Sequence, residues 1–256
     1  MEKLSRKLLT KGIFAVDKPK NVYSMEVVEK IKGILYNEIA FLRNKPPDLL
    51  KLGHGGILDY PASGVLVIGV GYGCKVLKKF LQCEKRYATV GKLGEETDTL
   101  NDIGCVTDSK PFDHVTKEQI DSLLKSKFSG KIWQTPPKYS ALKKNGRRMS
   151  DLMMEGKEVE VSPRQVICHS VECTQFNPPF FELDVTCGGG FYIRSLVHDV
   201  AKEMGTCAHI TELRRIQQGP FHESDALEKC DWTANCILEA MFKHRPHLRF
   251  QEAEVW

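Results

Sequence analysis

Leu52 to Phe80 reads LGHGGILDYPASGVLVIGVGYGCKVLKKF, and the rest of the chain is organised around this stretch. Seven glycines (Gly53, Gly55, Gly56, Gly64, Gly69, Gly71, Gly73) punctuate it. They let the backbone take positive φ or approach another group closely where a Cβ would clash. Asp59 is the only carboxylate between Asp48 and Glu84, and it stands between Leu58 and the Tyr60-Pro61 pair. Apolar and conformationally restricted neighbours can hold its side chain in one place, and a fixed carboxylate can act as nucleophile or base. The competing reading is an Asx-type turn acid bonded to nearby backbone amides.

The 256 residues suffice for one large domain or two small ones. A chain that is 41% hydrophobic and 27% charged is ordinary for a globular protein and argues against extended disorder. No apolar run approaches a membrane span, and the basic start MEKLSRKLLTKG leads at once into GIFAV, so no cleavable targeting peptide is expected. A net charge of +4 permits a polyanionic partner without requiring one. KKNGRR (Lys143 to Arg148) concentrates four cations in six residues, a pattern suited to phosphate contact and equally to a solvated surface. Nine scattered cysteines with no C-x-x-C pair fit free thiols in a reducing compartment. The spaced Cys/His sets of zinc sites are missing, so no metal is expected.

GHGGILDYPASGVLVIGVG resembles the signature loop of the TruB family of RNA pseudouridine synthases, whose pattern is Gly-His-x-Gly-x-Leu-Asp followed by small residues. The resemblance makes Asp59 the catalytic carboxylate and puts His54 against the RNA near the target base. It departs at Tyr60, where many members have Pro. Further matches follow in family order. Lys85-Arg86-Tyr87 resembles the strand whose tyrosine packs on the target base and is a candidate for proton transfer. Gly190-Phe191-Tyr192-Ile193-Arg194 resembles the Gly-x-Tyr-Ile-Arg segment, which assigns Tyr192 to the uridine pocket and Arg194 to an ion pair with the carboxylate. In the last segment, His209 to Arg215, Leu213 lines the base pocket. Lys85, Arg86 and Lys143 are the cations expected to meet RNA.

Along the chain, Gly12 to Val16 reads as a strand, and Ser24 as the N-cap of a helix over about 25–36. Residues 36–50, with Pro46-Pro47, read as a connection. The Lys18-Pro19 segment is also family-like, although Lys20 to Tyr23 depart from the usual Gly and Thr before the Ser. Lys18 is read as part of a structural turn in preference to a phosphate contact. Val65 to Val70 is an unbroken apolar strand and Gly73 to Leu81 a short helix. Between them Gly69-Val70-Gly71-Tyr72-Gly73 imitates a dinucleotide-binding loop, but its third glycine falls one residue early and no βαβ continuation follows. Arg86 to Leu93 alternates as a half-buried strand. Thr116 and Gln119 form a capping-box pattern for a helix to about Phe128. Gln134 to Lys144 (QTPPKYSALKK), whose two prolines precede Tyr139, and the basic run Lys143 to Arg148 that follows read as a rigid RNA-facing loop carrying an aromatic and several cations, with helical patterning over Arg147 to Met154. Gln165–Phe176 and Phe180–Cys187 are paired strand candidates, and Ile193–Met204 is an amphipathic helix.

The resemblance covers about residues 12–220. It implies an α/β (α+β) pseudouridine synthase fold: a mixed, mainly antiparallel central sheet flanked by helices and loops around an RNA-binding cleft. The chain is expected to be a single catalytic domain. Residues 221–256 form a short helical tail, too short for the PUA domain that many relatives append. The implied activity converts uridine to pseudouridine in RNA, by family U55 in the TΨC loop of tRNA, with some messenger RNA hairpins as further substrates. Because the same atoms are reconnected, the reaction needs no cofactor. The motifs look closest to the stand-alone eukaryotic branch, which implies an intracellular monomer in nucleus or cytosol, without a membrane partner. The rival is an RNA-binding or RNA-chaperone protein using the fold without turnover. Binding alone would need cations and aromatics, but no Asp in the pocket.

Overall fold

The computed structural model describes residues 11–43, 50–157 and 159–249. The basic start of the chain, the Pro46-Pro47 pair and the last residues of the tail lie outside the described residues. Packing separates two compact units, one of Met1–Lys85 with Arg214–Trp256 and the other of Arg86–Leu213.

The first unit opens with strand β1 (Lys11–Lys18), helix α1 (Ser24–Arg43), β2 (Leu52–His54) and β3 (Ser63–Gly71). A 3-10 turn over Tyr72–Val76 then leads into α2 (Leu77–Gln82). β1 and β3 pair antiparallel over their whole length, from Lys11 opposite Gly71 to Lys18 opposite Gly64. Both faces of this pair are buried. Phe14, Val16, Leu66, Ile68 and Val70 pack against Val27, Ile31, Leu35 and Ile39 of α1. Ile13, Ala15, Val65 and Val67 pack against Leu77, Phe80 and Phe221 on the other side. A strand covered on both faces has no polar alternation to keep, hence the unbroken run VLVIGV.

Helix α1 corrects the expectation of a connection from residue 36. Ile31, Leu35 and Ile39 recur every four residues and are all buried, so the helix continues to Arg43. Ser24 does not cap it. The helix begins at Ser24, the backbone N–H of Tyr23 donates to the Glu26 carboxylate (2.9 Å), and the Ser24 hydroxyl is used elsewhere. The glycines of the nucleotide-loop imitation serve close packing: a Cβ on Gly73 would lie 1.9 Å from the Gly12 carbonyl oxygen.

The second unit carries β4 (Lys85–Leu93), β5 (Glu95–Thr97), β6 (Val106–Ser109), α3 (Lys117–Lys127) and β7 (Gly130–Gln134). The Thr116/Gln119 capping box at α3 is present in both directions. β8 (Lys143–Lys144) and β9 (Arg147–Arg148) form a hairpin followed by α4 (Met149–Met154). The basic run is therefore a hairpin and no simple loop. Asn145 (φ 52°) and Gly146 (φ 82°) make the two-residue turn that an Asn-Gly pair favours. β10 (Arg164–Asn177) and β11 (Phe180–Cys187) pair antiparallel, then come α5 (Ile193–Glu203) and β12 (Ala208–Gln218). The strand order in this unit is β12-β4-β11-β10-β7.

The boundary between the units falls within β12, whose Arg214 and Arg215 pair in parallel with Ser63 and Gly64 of β3. Gly64 must be glycine: its φ is +107° and a Cβ would meet the Arg215 carbonyl oxygen at 2.2 Å. β13 (Phe221–His222), β14 (Ala226–Leu227) and α6 (Ala234–Lys243) complete the first unit, whose order is β14-β1-β3-β12. The sheet is mixed and mainly antiparallel with flanking helices, as expected. The segment read as a tail is core material, because Trp232, Ile237, Ala240 and Met241 are buried in the cluster with Phe14 and Ile31.

Candidate active site

In the first unit the Asp59 loop is held by its own carbonyls. The Gly55 carbonyl accepts from Gln218 Nε2 (2.7 Å) and the Gly56 carbonyl from Arg215 Nη2 (3.2 Å). Ile57 accepts a longer bond from Arg215 Nη1 (3.5 Å). Leu58 accepts from the Ser24 hydroxyl (3.2 Å), which in turn accepts the Leu58 N–H (3.1 Å). The Asp59 carbonyl takes the Ala62 N–H (3.1 Å), and the Tyr60 carbonyl takes both the Asn21 N–H (2.9 Å) and Lys18 Nζ (3.3 Å). Every carbonyl from Gly55 to Tyr60 thus has a donor, and a loop of this kind has little freedom to move its one carboxylate.

Two cations sit beneath it. Lys18 is fully buried and donates also to the carbonyls of Pro19 (2.9 Å) and Val22 (2.7 Å). Burial lowers its pKa to about 8; the Asp59 carboxylate opposes that shift and the Arg215 guanidinium adds to it. Arg215 is 1% exposed and anchored to the Val65 carbonyl (2.7 Å). The structural reading of Lys18 matches this arrangement, whereas the roles of Arg215, Gln218 and the Ser24 hydroxyl were not read from the sequence. His54, half-buried on β2, accepts the Gly56 N–H through Nδ1 at 3.4 Å.

The second unit holds Tyr87, Tyr192, Arg194 and Leu213. Tyr192 precedes α5, and its backbone is clamped by the Gln134 side chain, whose Oε1 accepts the Tyr192 N–H (2.7 Å) and whose Nε2 donates to its carbonyl (2.9 Å). Ser195 ties the same helix start to the Thr135 carbonyl (2.7 Å). Arg194, 4% exposed, donates to the carbonyls of Thr99 (2.8 Å) and Tyr139 (2.9 Å). Its guanidinium is therefore fixed in the plane those acceptors define. Tyr87 on β4 and Leu213 on β12 are both nearly buried.

The expected RNA-facing cations divide. Lys85 is a correction: it is 6% exposed and its ammonium donates to the carbonyls of Cys83 (2.7 Å) and Leu81 (3.0 Å), so it braces the chain where α2 meets β4 and offers nothing to phosphate. Arg86 is exposed but forms a two-point pair with Asp184, with both bonds at 2.8 Å. Lys143 remains solvent-exposed on the β8–β9 hairpin, together with Lys144, Arg147 and Arg148.

Residues 43–193 match the model of the TruB family pseudouridylate synthase N-terminal domain, and residues 194–245 that of the tRNA pseudouridylate synthase B C-terminal domain. The chain belongs to the TruB family of pseudouridine synthases. It is 48% identical over 245 residues to pseudouridylate synthase TRUB1 of Mus musculus, covering 93% of this chain and 72% of that protein. It is 34% identical over 223 residues to tRNA pseudouridine synthase B of Dehalococcoides mccartyi, covering 87% of this chain and 70% of the relative. A chain solved in a Cbf5-Nop10-Gar1 complex superposes with a TM-score of 0.65 at 28% identity, covering 89% of this chain. This chain spans about half of that solved one, 55% of its length. Among the described residues no helix is long and apolar enough to cross a membrane.

Proposed function

We propose that this chain converts uridine to pseudouridine in tRNA, at U55 of the TΨC loop, with Asp59 as the reacting carboxylate. The reaction breaks the bond from ribose C1′ to N1 of uracil, turns the base and joins C1′ to C5; C5 loses its proton to solvent and N1 takes one up. What carries the reading is the Asp59 loop itself: all its carbonyls are bonded, two of its donors are buried cations, and it bears one acid. A loop acid kept for turn-making would not need that support.

In this reading the target base is flipped out of the RNA at a cost of about a few kcal/mol. Tyr87 and Tyr192 offer aromatic surface to the extruded uracil, Leu213 lines its pocket, and His54 takes the space it leaves. Arg194, pre-oriented by the Thr99 and Tyr139 carbonyls, is the permanent cation that the family resemblance assigns to the reacting carboxylate. RNA backbone contact falls to the Lys143–Arg148 hairpin. The bacterial relatives named as tRNA synthases support the choice of tRNA.

The test is tritium release from [5-³H]uridine-labelled tRNA transcript, native chain against Asp59→Asn, with RNA binding measured in parallel. Release by the native chain alone, with binding retained by the variant, is expected. Equal release by both removes Asp59 from the chemistry, and binding without release by the native chain would leave an RNA-binding protein.

A further inference from the structure

Two aromatic rings meet beside Asp59. The rings of Tyr23 and Tyr60 lie 4.8 Å apart between centroids, tilted by 47°. Both stand where the chain departs from the usual TruB pattern, Tyr60 in place of the Pro that follows the Asp and Tyr23 just before the Ser. The two departures therefore form one contact.

The rings are carried on backbone that does not move freely. The Tyr60 carbonyl is bonded to Lys18 and to the Asn21 N–H. The Tyr23 carbonyl accepts the N–H groups of Glu26 (3.0 Å) and Val27 (3.3 Å), and its own N–H is held by the Glu26 carboxylate. The reciprocal Ser24–Leu58 bonds join the two segments directly. Yet Tyr23 remains 58% exposed, and Met25, two residues after it, and Ile57, three residues before Tyr60, are each 46% exposed. Tyr60 is half-buried, but a Tyr23 ring that served only to pack against it would bury the larger share of its own surface. A rigid, exposed aromatic face one residue from the reacting carboxylate is suited to a base that must be supported outside its helix.

We propose that the Tyr23–Tyr60 pair is a stacking platform for an unpaired nucleobase next to the target uridine, and that it selects RNAs in which that neighbour is free to unstack. The proposal rests on the reading of Asp59 given above. Stacking of a base on a protein ring is sequence-tolerant, so the platform reads the freedom of the neighbouring nucleotide and not its identity.

The test uses the full chain, TΨC-arm RNA carrying 2-aminopurine at each nucleotide flanking the target, and single-turnover tritium release. Tyr23→Leu and Tyr60→Leu keep bulk and remove the aromatic face; Tyr23→Phe keeps it. The Leu variants are expected to lose the 2-aminopurine quench at one flanking position and about ten-fold in kcat/KM. Their rate at saturating enzyme stays within about two-fold of native, because the platform acts through binding. Tyr23→Phe should match the native chain throughout. Unchanged quench and kcat/KM in the Leu variants would overturn the proposal, as would a Phe variant as impaired as Leu. A thermal midpoint that falls in Tyr23→Leu in step with the lost binding would show a packing role instead. A native chain that releases no tritium but still shows a Tyr23-dependent quench would sink the reading of Asp59 and leave the platform standing.

Discussion

Replacing Lys18 by Met is the sharpest test of how the Asp59 loop is held. The ammonium donates to three carbonyls, those of Pro19, Val22 and Tyr60. The Tyr60 carbonyl keeps a second donor in the Asn21 N–H, so the substitution orphans two acceptors, Pro19 and Val22. An unpaired buried acceptor costs about 1–3 kcal/mol, and because both carbonyls belong to half-buried residues the lower end applies to each, giving about 2 kcal/mol at pH 7. The pH dependence supplies a second measurement. The folded pKa of Lys18, about 8, lies below its ordinary 10.5. Between those values the unfolded chain holds more protons than the folded one, so native stability rises with pH across that window and is flat below it. Over the 2.5 units the rise reaches about 3 kcal/mol, at roughly 1.4 kcal/mol per unit. The Met variant lacks this contribution, so urea denaturation of the two proteins should give a stability gap that widens from pH 8 to pH 10.5. A gap under about 1 kcal/mol at pH 7 that stays constant to pH 10.5 would refute both the hydrogen-bond accounting and the buried charge. Tritium release should fall in the variant, because the loop that aims the carboxylate loses one of its two cations.

Three further outcomes follow from the structure. Gly64→Ala sets a Cβ 2.2 Å from the Arg215 carbonyl in a backbone of positive φ, where only the backbone itself can yield. Denaturant unfolding should show a loss of about 3 kcal/mol or more, and a variant within 1 kcal/mol of native would contradict the close crossing of β3 and β12. Among the cations, Lys143→Gln with Lys144→Gln should flatten the dependence of log K on log salt for tRNA binding by about 1–2, leaving stability unchanged. Lys85→Met should instead lower stability with the salt slope intact; the reverse pattern would put Lys85 on the RNA.

The elements legible in the sequence were those whose signal is local. β1, β3, the β10–β11 hairpin, α5 and the capping box of α3 are written in runs, periods and caps that need no distant partner. The Asn145-Gly146 turn is also a local signal, but the four cations around it look equally like a solvated loop, and only the pairing of Lys143 with Arg148 and Lys144 with Arg147 distinguishes the two. Helix α1 was cut short because Ile39 falls after polar Asn37 and Glu38, although it continues the buried row of Ile31 and Leu35.

The candidate site was legible in its acid and illegible in its support, and the reason is distance along the chain. Apart from the local Ala62 N–H on the Asp59 carbonyl, the donors that hold the Asp59 loop come from residues 34 to 163 positions away, as with Ser24 on Leu58 and Gln218 on Gly55. No period or spacing records such a pairing. The same fact inverts the reading of charge. Lys85 looks from sequence like a phosphate contact, yet it is buried on backbone carbonyls, as are Lys18, Arg194 and Arg215. Of these, Lys18 and Arg215 order the loop that presents the acid. RNA attraction then has to come from cations whose charge faces water, and Lys143, Lys144 and Arg148 of the β8–β9 hairpin are suited to it, whereas Arg147 is paired with Glu155.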